Sequence, residues 1–196
     1  MADKNNKVKY NLKNAHYALL SIAEDGTITY GTPVAMPGSV SISLDANGEP
    51  ENFYADGVAY YVINNNMGYD GDLELALIPE SFRTDVLKEE LDANGVLIEN
   101  SEVELASFAL LFEFDGDQKH IRHIMYNCSA SRPGIEGNTN EDNKEVQTET
   151  LSIKATPLAN GMVKAKTGNT TDSTVYADWY KAVYMPAAAS TKGGIG

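Results

Sequence analysis

Residues 106–128 constrain this chain more than any other stretch. Ala106, Phe108, Leu110, Phe112 and Phe114 occupy every second position, and a period of two places their side chains on one face of an extended strand. Leu111 interrupts the polar side of the same run, so the strand is expected to be central and covered on both faces. Asp115-Gly116 is a tight-turn signature, and residues 119–128 supply the returning strand. A hairpin this apolar has to be the spine of a sheet, and the rest of the chain has to provide its cover.

The remaining pattern is consistent with that demand. Residues 16–22 read as a strand, Glu24-Asp25-Gly26 as a turn, and residues 27–30 as extended chain. Val40, Ile42 and Leu44 alternate with Ser39, Ser41 and Ser43, the signature of a half-buried strand. Residues 73–77 form another strand. Pro79-Glu80 then opens the one convincing helix, residues 80–91, because proline and acid suit a helix N-terminus. Phe82, Val86, Leu87 and Leu91 recur at helical spacing, and Asp92-Ala93-Asn94-Gly95 is its stop. After a polar loop at 129–144, residues 146–156 and 162–166 are expected to pair, turning at Asn160-Gly161. Residues 167–174 form a second polar loop, residues 175–184 close the chain, and residues 186–196 form a flexible tail. Strands, one helix and then hairpins predict a mainly β (α+β) fold: an antiparallel β-sandwich or barrel with one flanking α-helix. Residues 1–185 are expected to be one domain.

One segment does not fit the sandwich. Residues 45–72 are rich in Asn, Gly, Asp and Tyr and contain Phe53-Tyr54-Ala55-Asp56-Gly57 and Tyr60-Tyr61-Val62-Ile63. The segment is long for a plain loop and too aromatic for a disordered linker. It reads as a hairpin-like excursion, with Asn64-Asn65-Asn66 near its return. Its aromatics need cover, either from their own domain or from a neighbouring subunit, and the pattern leaves both open. Phe53, Tyr54, Tyr60 and Tyr61 are the candidate subunit-interface residues.

Composition and motifs argue against several functions. With 196 residues and 42% apolar content the chain can bury a sizeable core. A formal net charge of -13 disfavours tight binding to nucleic-acid phosphates. The single cysteine, Cys128, rules out an intramolecular disulfide. Within Ile124-Met125-Tyr126-Asn127-Cys128 it reads as a small buried hydrophobe. A catalytic thiol needs a base and an electropositive setting, and only His120 and His123 are close in sequence. That pair is three apart on an expected strand, so its members point to opposite faces, against a shared zinc site. Asp45-Ala46-Asn47-Gly48 lacks the ligand spacing and closing glutamate of an EF-hand. Asp70-Gly71-Asp72 and Asp115-Gly116-Asp117 are turn chemistry as readily as calcium ligands. No nucleophile elbow, phosphate loop or dinucleotide fingerprint is present. No catalytic, cofactor-binding or metal-binding residue is therefore assigned, and an enzyme is not expected. Residues 1–7 lack a following apolar core of signal-peptide length, and no run is apolar enough to span a bilayer. A protein without a membrane anchor, made and folded in the cytoplasm, is expected.

Several blocks together carry a resemblance. They are Lys13-Asn14-Ala15-His16-Tyr17-Ala18, Tyr30-Gly31-Thr32-Pro33, Phe53-Tyr54-Ala55-Asp56-Gly57, Tyr69-Asp70-Gly71-Asp72-Leu73-Glu74 and Glu80-Ser81-Phe82-Arg83-Thr84-Asp85-Val86-Leu87. Further along they are the segment 108–117, the segment 122–133 and Val175-Tyr176-Ala177-Asp178-Trp179-Tyr180 through Tyr184. In their order and spacing these resemble the major tail proteins (tail tube proteins) of long-tailed bacteriophages, the phi13-type family, along nearly the whole chain. The resemblance implies a tail-tube fold of two packed β-sheets with a helix at the side. It implies a structural virion protein that self-assembles into hexameric rings, stacked into the tube through which viral DNA leaves the capsid. Its implied partners are copies of itself and other tail proteins such as the tape measure and the tail terminator. DNA is expected to pass without specific binding. The expected location is the virion tail, assembled in the host cytoplasm. Some relatives carry an added immunoglobulin-like domain, for which this chain is too short.

Part of the negative charge is then expected to line the lumen, since acid repels phosphate within a Debye length of ~8–10 Å. The polar alternates of the strand at 146–156, including Glu149, are the candidates. The alternative reading, from another class, is a carbohydrate-binding β-sandwich module whose paired tyrosines, Tyr60-Tyr61, stack on sugar rings.

Overall fold

The computed structural model describes residues 5–139 and 144–186. The chain begins with β1 (Lys9–Ile22), β2 (Ile28–Tyr30), β3 (Val34–Ala35) and β4 (Ser39–Asn47), followed by a separate hairpin, β5 (Glu51–Ala55) and β6 (Val58–Ile63). Next come β7 (Gly68–Leu75), α1 (Glu80–Asp85) and a small ribbon, β8 (Glu90–Leu91) with β9 (Leu97–Ile98). The central hairpin is β10 (Phe108–Gly116) with β11 (Ile121–Ala130), and β12 (Glu149–Ala155), β13 (Lys164–Lys166) and α2 (Ser173–Ala177) follow. The main antiparallel sheet runs β2-β1-β10-β11-β12-β7-β4, with β3 added to β1 and β13 to β11. Its far strand β4 comes back into contact with β1, so the sheet curls over on itself as a sandwich around one interior.

The alternation at 106–128 fills both sides of this sheet. Phe108, Leu110 and Phe112 join Tyr17, Leu73, Leu75, Met125, Leu151 and Ile153 in the interior. Ala109 and Leu111 face the other way, into a second cluster with Ile124, Tyr126 and Trp179. The expectation that this strand is covered on both faces therefore holds, and its outer cover is the segment carrying α2. That segment is held by a buried pair: Arg122 Nε donates to Glu113 at 3.0 Å, and its guanidinium lies 3.9 Å from the Tyr176 ring centre. Arg122 also donates to the Tyr176 carbonyl, and the Tyr180 hydroxyl donates to Glu113 at 3.3 Å.

Four expectations are corrected. The helix ends at Asp85, not Leu91. Lys88 takes a left-handed φ of 60°, and the Val86 carbonyl accepts from Ala106 N instead of from a further helical turn. Phe82, Val86 and Leu87 are buried as expected, whereas Leu91 is 47% exposed on β8. Asp92-Ala93-Asn94-Gly95 is the turn of the β8–β9 ribbon, where Asp92 accepts from Asn94 N and Val96 N. Second, Leu91 is not part of the buried stripe: the helix flanks the sandwich as expected, docking through Phe82, Val86 and Leu87 alone. Phe82 packs edge-on against Tyr17 and Phe108, with ring centres 5.2 and 5.3 Å away, and plugs one end of the interior. Third, β12 and β13 do not pair with each other; both pair with β11, β12 at Cys128–Ala130 and β13 at His123–Met125, end to end. The turn at Asn160-Gly161 moves the chain along β11, not back over β12. Fourth, Asp115-Gly116 still belongs to β10, and the reversal follows it. Asn6 accepts there from Gln118 N and Lys119 N and donates to the Lys119 carbonyl. The tail at 187–196, and residues 140–143 of the polar loop, lie outside the described residues.

β1 is longer than expected because two bulges hide its first half from a period-two reading. Its register against β10 slips between Tyr10 and Leu12 and again between Lys13 and His16. The bulged residues Asn11 and Asn14 have φ of 54° and 51°, and their amides donate to Asp115 and Glu113. Asparagine tolerates that conformation better than most residues, and each bulge bends the strand around the core. On the far side β7 is squeezed between two neighbours: a Cβ on Gly71 would lie 1.9 Å from the Ser43 carbonyl oxygen.

Candidate assembly surface

β5 and β6 pair only with each other, so both outer edges of this ribbon are open. The turn between them uses Asp56 and Gly57 at φ 52° and 77°, the paired left-handed conformations of a two-residue hairpin. Phe53 stands opposite Tyr61 and Tyr54 opposite Ala59, and Tyr60 is the extra residue of the bulge between those pairs. Phe53, Tyr54, Tyr60 and Tyr61 are all exposed, as are Val58 and Val62 on the same ribbon. Within the chain the aromatics do not fold back on their own core; that alternative is removed. The ribbon projects from the body, and Asn64-Asn65-Asn66 lies where it rejoins β7. An exposed apolar ribbon with two free edges is unusual on a soluble monomer.

The ribbon leaves from the end of the sandwich opposite α1. Asn47 ends β4 and Gly68 begins β7 at this end, tied by Met67 N donating to the Asn47 carbonyl. Here the interior is open. A hollow of about 220 Å³ is lined by Ile42, Leu44, Phe112, Phe114 and Met125 below and by Lys9, Tyr69, His123 and Lys164 at the rim. The Lys9 ammonium lies 4.6 Å from the Phe114 ring centre and that of Lys164 4.2 Å from Tyr69. His123 stacks on Phe112 at 5.1 Å, and burial, aided by Lys166, Lys9 and Lys164, pushes its pKa down to about 4. His120 instead pairs with Asp115 at 2.7 Å, so the two histidines do not converge.

The outer face of β4, β7 and β12 is polar and acidic. Ser41 and Thr148 donate to Glu74 at 2.8 and 2.7 Å, Ser152 to Asp72 at 2.7 Å, and Asn47 to Asp70 at 2.6 Å. The Thr148 and Ser41 bonds hold the Glu74 carboxyl below its usual range. Glu149, named from sequence as a polar alternate facing the lumen, instead shares the side of β12 that carries the buried Leu151 and Ile153, and it accepts from Ile78 N at 2.6 Å and from Arg83 at 2.8 Å. Sequence reading missed Asp70, Asp72 and Glu74 as one row, although their alternation with Gly71 and Leu73 is visible once β7 is known to begin at Gly68. The mouth was missed because its lysines come from β1 and β13, far apart in the chain.

Cys128 is fully buried, its thiol pushed up to about 12 by burial, so it is a packing residue. Among the described residues no three His, Cys, Asp or Glu side chains gather as a metal site, and no helix is long and apolar enough to cross a membrane.

No protein-family model and no curated protein matches this sequence. Among solved structures, the chain is similar to a cryo-EM structure of the anti-feeding prophage cap, a tube-terminating cap. The identity is 8%, the TM-score 0.39, and the match covers 86% of this chain and 98% of that one. At that distance the likeness carries neither fold nor function across.

Proposed function

We propose that this chain is a structural subunit that assembles with copies of itself, and that the assembly is the ring-stacked phage tail tube implied by its resemblance to major tail proteins. The observation that carries the reading is the projecting β5–β6 ribbon, whose aromatics find no cover among the described residues. Burial of such side chains favours association in proportion to the apolar area removed from water. In this reading the subunit is not an enzyme, and its partners are its own copies and the tail proteins at the ends and inside of the tube. Viral DNA passes without specific binding. The row Asp70, Asp72 and Glu74 replaces Glu149 as the acid expected toward the lumen, where carboxylates keep phosphate from adhering.

Electron microscopy of the purified chain over a range of concentrations tests this. Rings or tubes are expected, with the acidic face of β4, β7 and β12 inward. Folded monomers at every concentration overturn the assembly reading, and a lumen dominated by Lys and Arg overturns the role given to the acidic row.

A further inference from the structure

We infer that the open end of the sandwich is the socket for the β5–β6 ribbon of a laterally neighbouring copy, with Tyr54 entering the apolar hollow and the ribbon's acids meeting Lys9 and Lys164. The inference rests on the assembly reading above and specifies the joint.

Three observations lead to it. First, the charges are complementary. The ribbon segment, residues 48–67, contains Glu49, Glu51 and Asp56 and no Lys or Arg. The rim carries Lys9 and Lys164, and Lys166 is the register partner of rim residue His123. In a chain of net charge -13 this is a local reversal of sign, the arrangement that steers and orients an encounter.

Second, the size fits a side chain. The hollow of about 220 Å³ lies below the roughly 300–1,000 Å³ usual for small-molecule sites. Its floor of Phe112, Phe114, Ile42 and Leu44 suits one aromatic ring. Tyr54 is the aromatic nearest the Asp56-Gly57 turn, with Asp56 two residues away. The six residues of β6 span about 20 Å at roughly 3.3 Å per residue, enough to cross a subunit boundary.

Third, the geometry selects a lateral neighbour. Ribbon root and mouth lie at the same end of the subunit, at Asn47 and Gly68 for the root and Tyr69 for the rim. With the ring axis along the sandwich strands, rotation keeps every ribbon root level with every mouth, so a ribbon reaches the next mouth without a shift along the axis. A copy stacked head-to-tail presents the opposite end, which α1 plugs through Phe82. The contact joins two different surfaces, one per copy, and such heterologous contacts generate rings where the rotation closes.

The test uses two variants of the full chain, Tyr54→Cys and Lys164→Cys, mixed under oxidising conditions; Cys128 is buried and stays silent. Disulfide-linked dimers in the mixture, and in neither variant alone, are expected. In parallel, Asp56→Lys and Lys9→Glu should each raise the assembly threshold about tenfold or more, from like charges brought together, and their 1:1 mixture should recover much of that loss. Wild-type rings without the cross-link and without charge-swap recovery overturn the socket while leaving assembly intact. A wild type that stays monomeric overturns both.

Discussion

Removing the two tyrosine rings at the middle of the ribbon, Tyr60→Ala with Tyr61→Ala, separates folding from assembly. In the subunit these residues are 72% and 64% exposed, so truncating them costs the fold little. In an assembly the same exposed fractions are what a neighbour can cover. Full burial of a large apolar side chain is worth about 1.5–3 kcal/mol. Scaled by the exposed fractions, the two rings contribute roughly 2–4 kcal/mol per joint, an upper estimate because some area stays wet. At 1.4 kcal/mol per factor of ten, assembly should then require a concentration about 30- to 1,000-fold higher. Sedimentation of polymer against total protein reads that threshold, and thermal melting of the dilute subunit reads the fold. A double variant that melts like wild type and polymerises only at high concentration is the expected result. Normal polymer at the wild-type threshold refutes the role of these rings. A large drop in melting temperature refutes their independence from the core.

Two further predictions concern the subunit. Phe82→Ala empties the plug between Tyr17 and Phe108 and should destabilise the fold by roughly 3–5 kcal/mol, read as a lower melting temperature; an unchanged one would show that the ring does not pack there. His123 is held neutral, its pKa lowered from 6.5 to about 4, so between those values the unfolded chain binds the proton that the folded chain refuses. Stability contributed by the neutral ring is present above pH 6.5 and lost as pH falls toward 4, by roughly 3 kcal/mol over the window. His123→Phe, which keeps the stack on Phe112, should melt at a temperature that changes less than wild type between pH 7 and pH 5; parallel curves would remove the histidine from the account.

The architecture was legible where burial is decided within a few residues. The alternation of Phe108, Leu110 and Phe112 named the interior row, and Leu111 announced a second covered face. Phe82, Val86 and Leu87 were identified as buried, yet the helix length was not. The spacing that extends the stripe to Leu91 is local, whereas the hydrogen bond that ends it comes from Ala106. The same holds for β13. Its sequence suits a partner for β12, but the choice of β11 depends on where the chain travels after Leu158, where Leu158 N donates to Met162 O in the turn. The first half of β1 escaped because bulges at Asn11 and Asn14 shift its side chains off a period of two, and only the cross-strand partners Asp115 and Glu113 give those asparagines a reason.

The candidate surface divides along the same line. Phe53, Tyr54, Tyr60 and Tyr61 could be named from sequence because an aromatic-rich excursion conflicts with solubility, and the structure deepens that conflict. The ribbon has apolar residues along both strands and, among the described residues, two open edges and no cover. A consistent sequence agrees with its fold at every level except where function requires otherwise. In this chain the densest run of exposed apolar side chains sits on the β5–β6 ribbon, while β10 and β11 fill the interior. The Lys9–Lys164 rim is the matching anomaly, positive charge around an apolar hollow in a strongly acidic protein. It could not be read from sequence, since its two lysines are ordinary surface residues until β13 is laid against β11 and β1 against β10. Each anomaly alone is a cost to an isolated subunit. Placed on neighbouring copies at the same height, one supplies the apolar ring and negative charge that the other lacks.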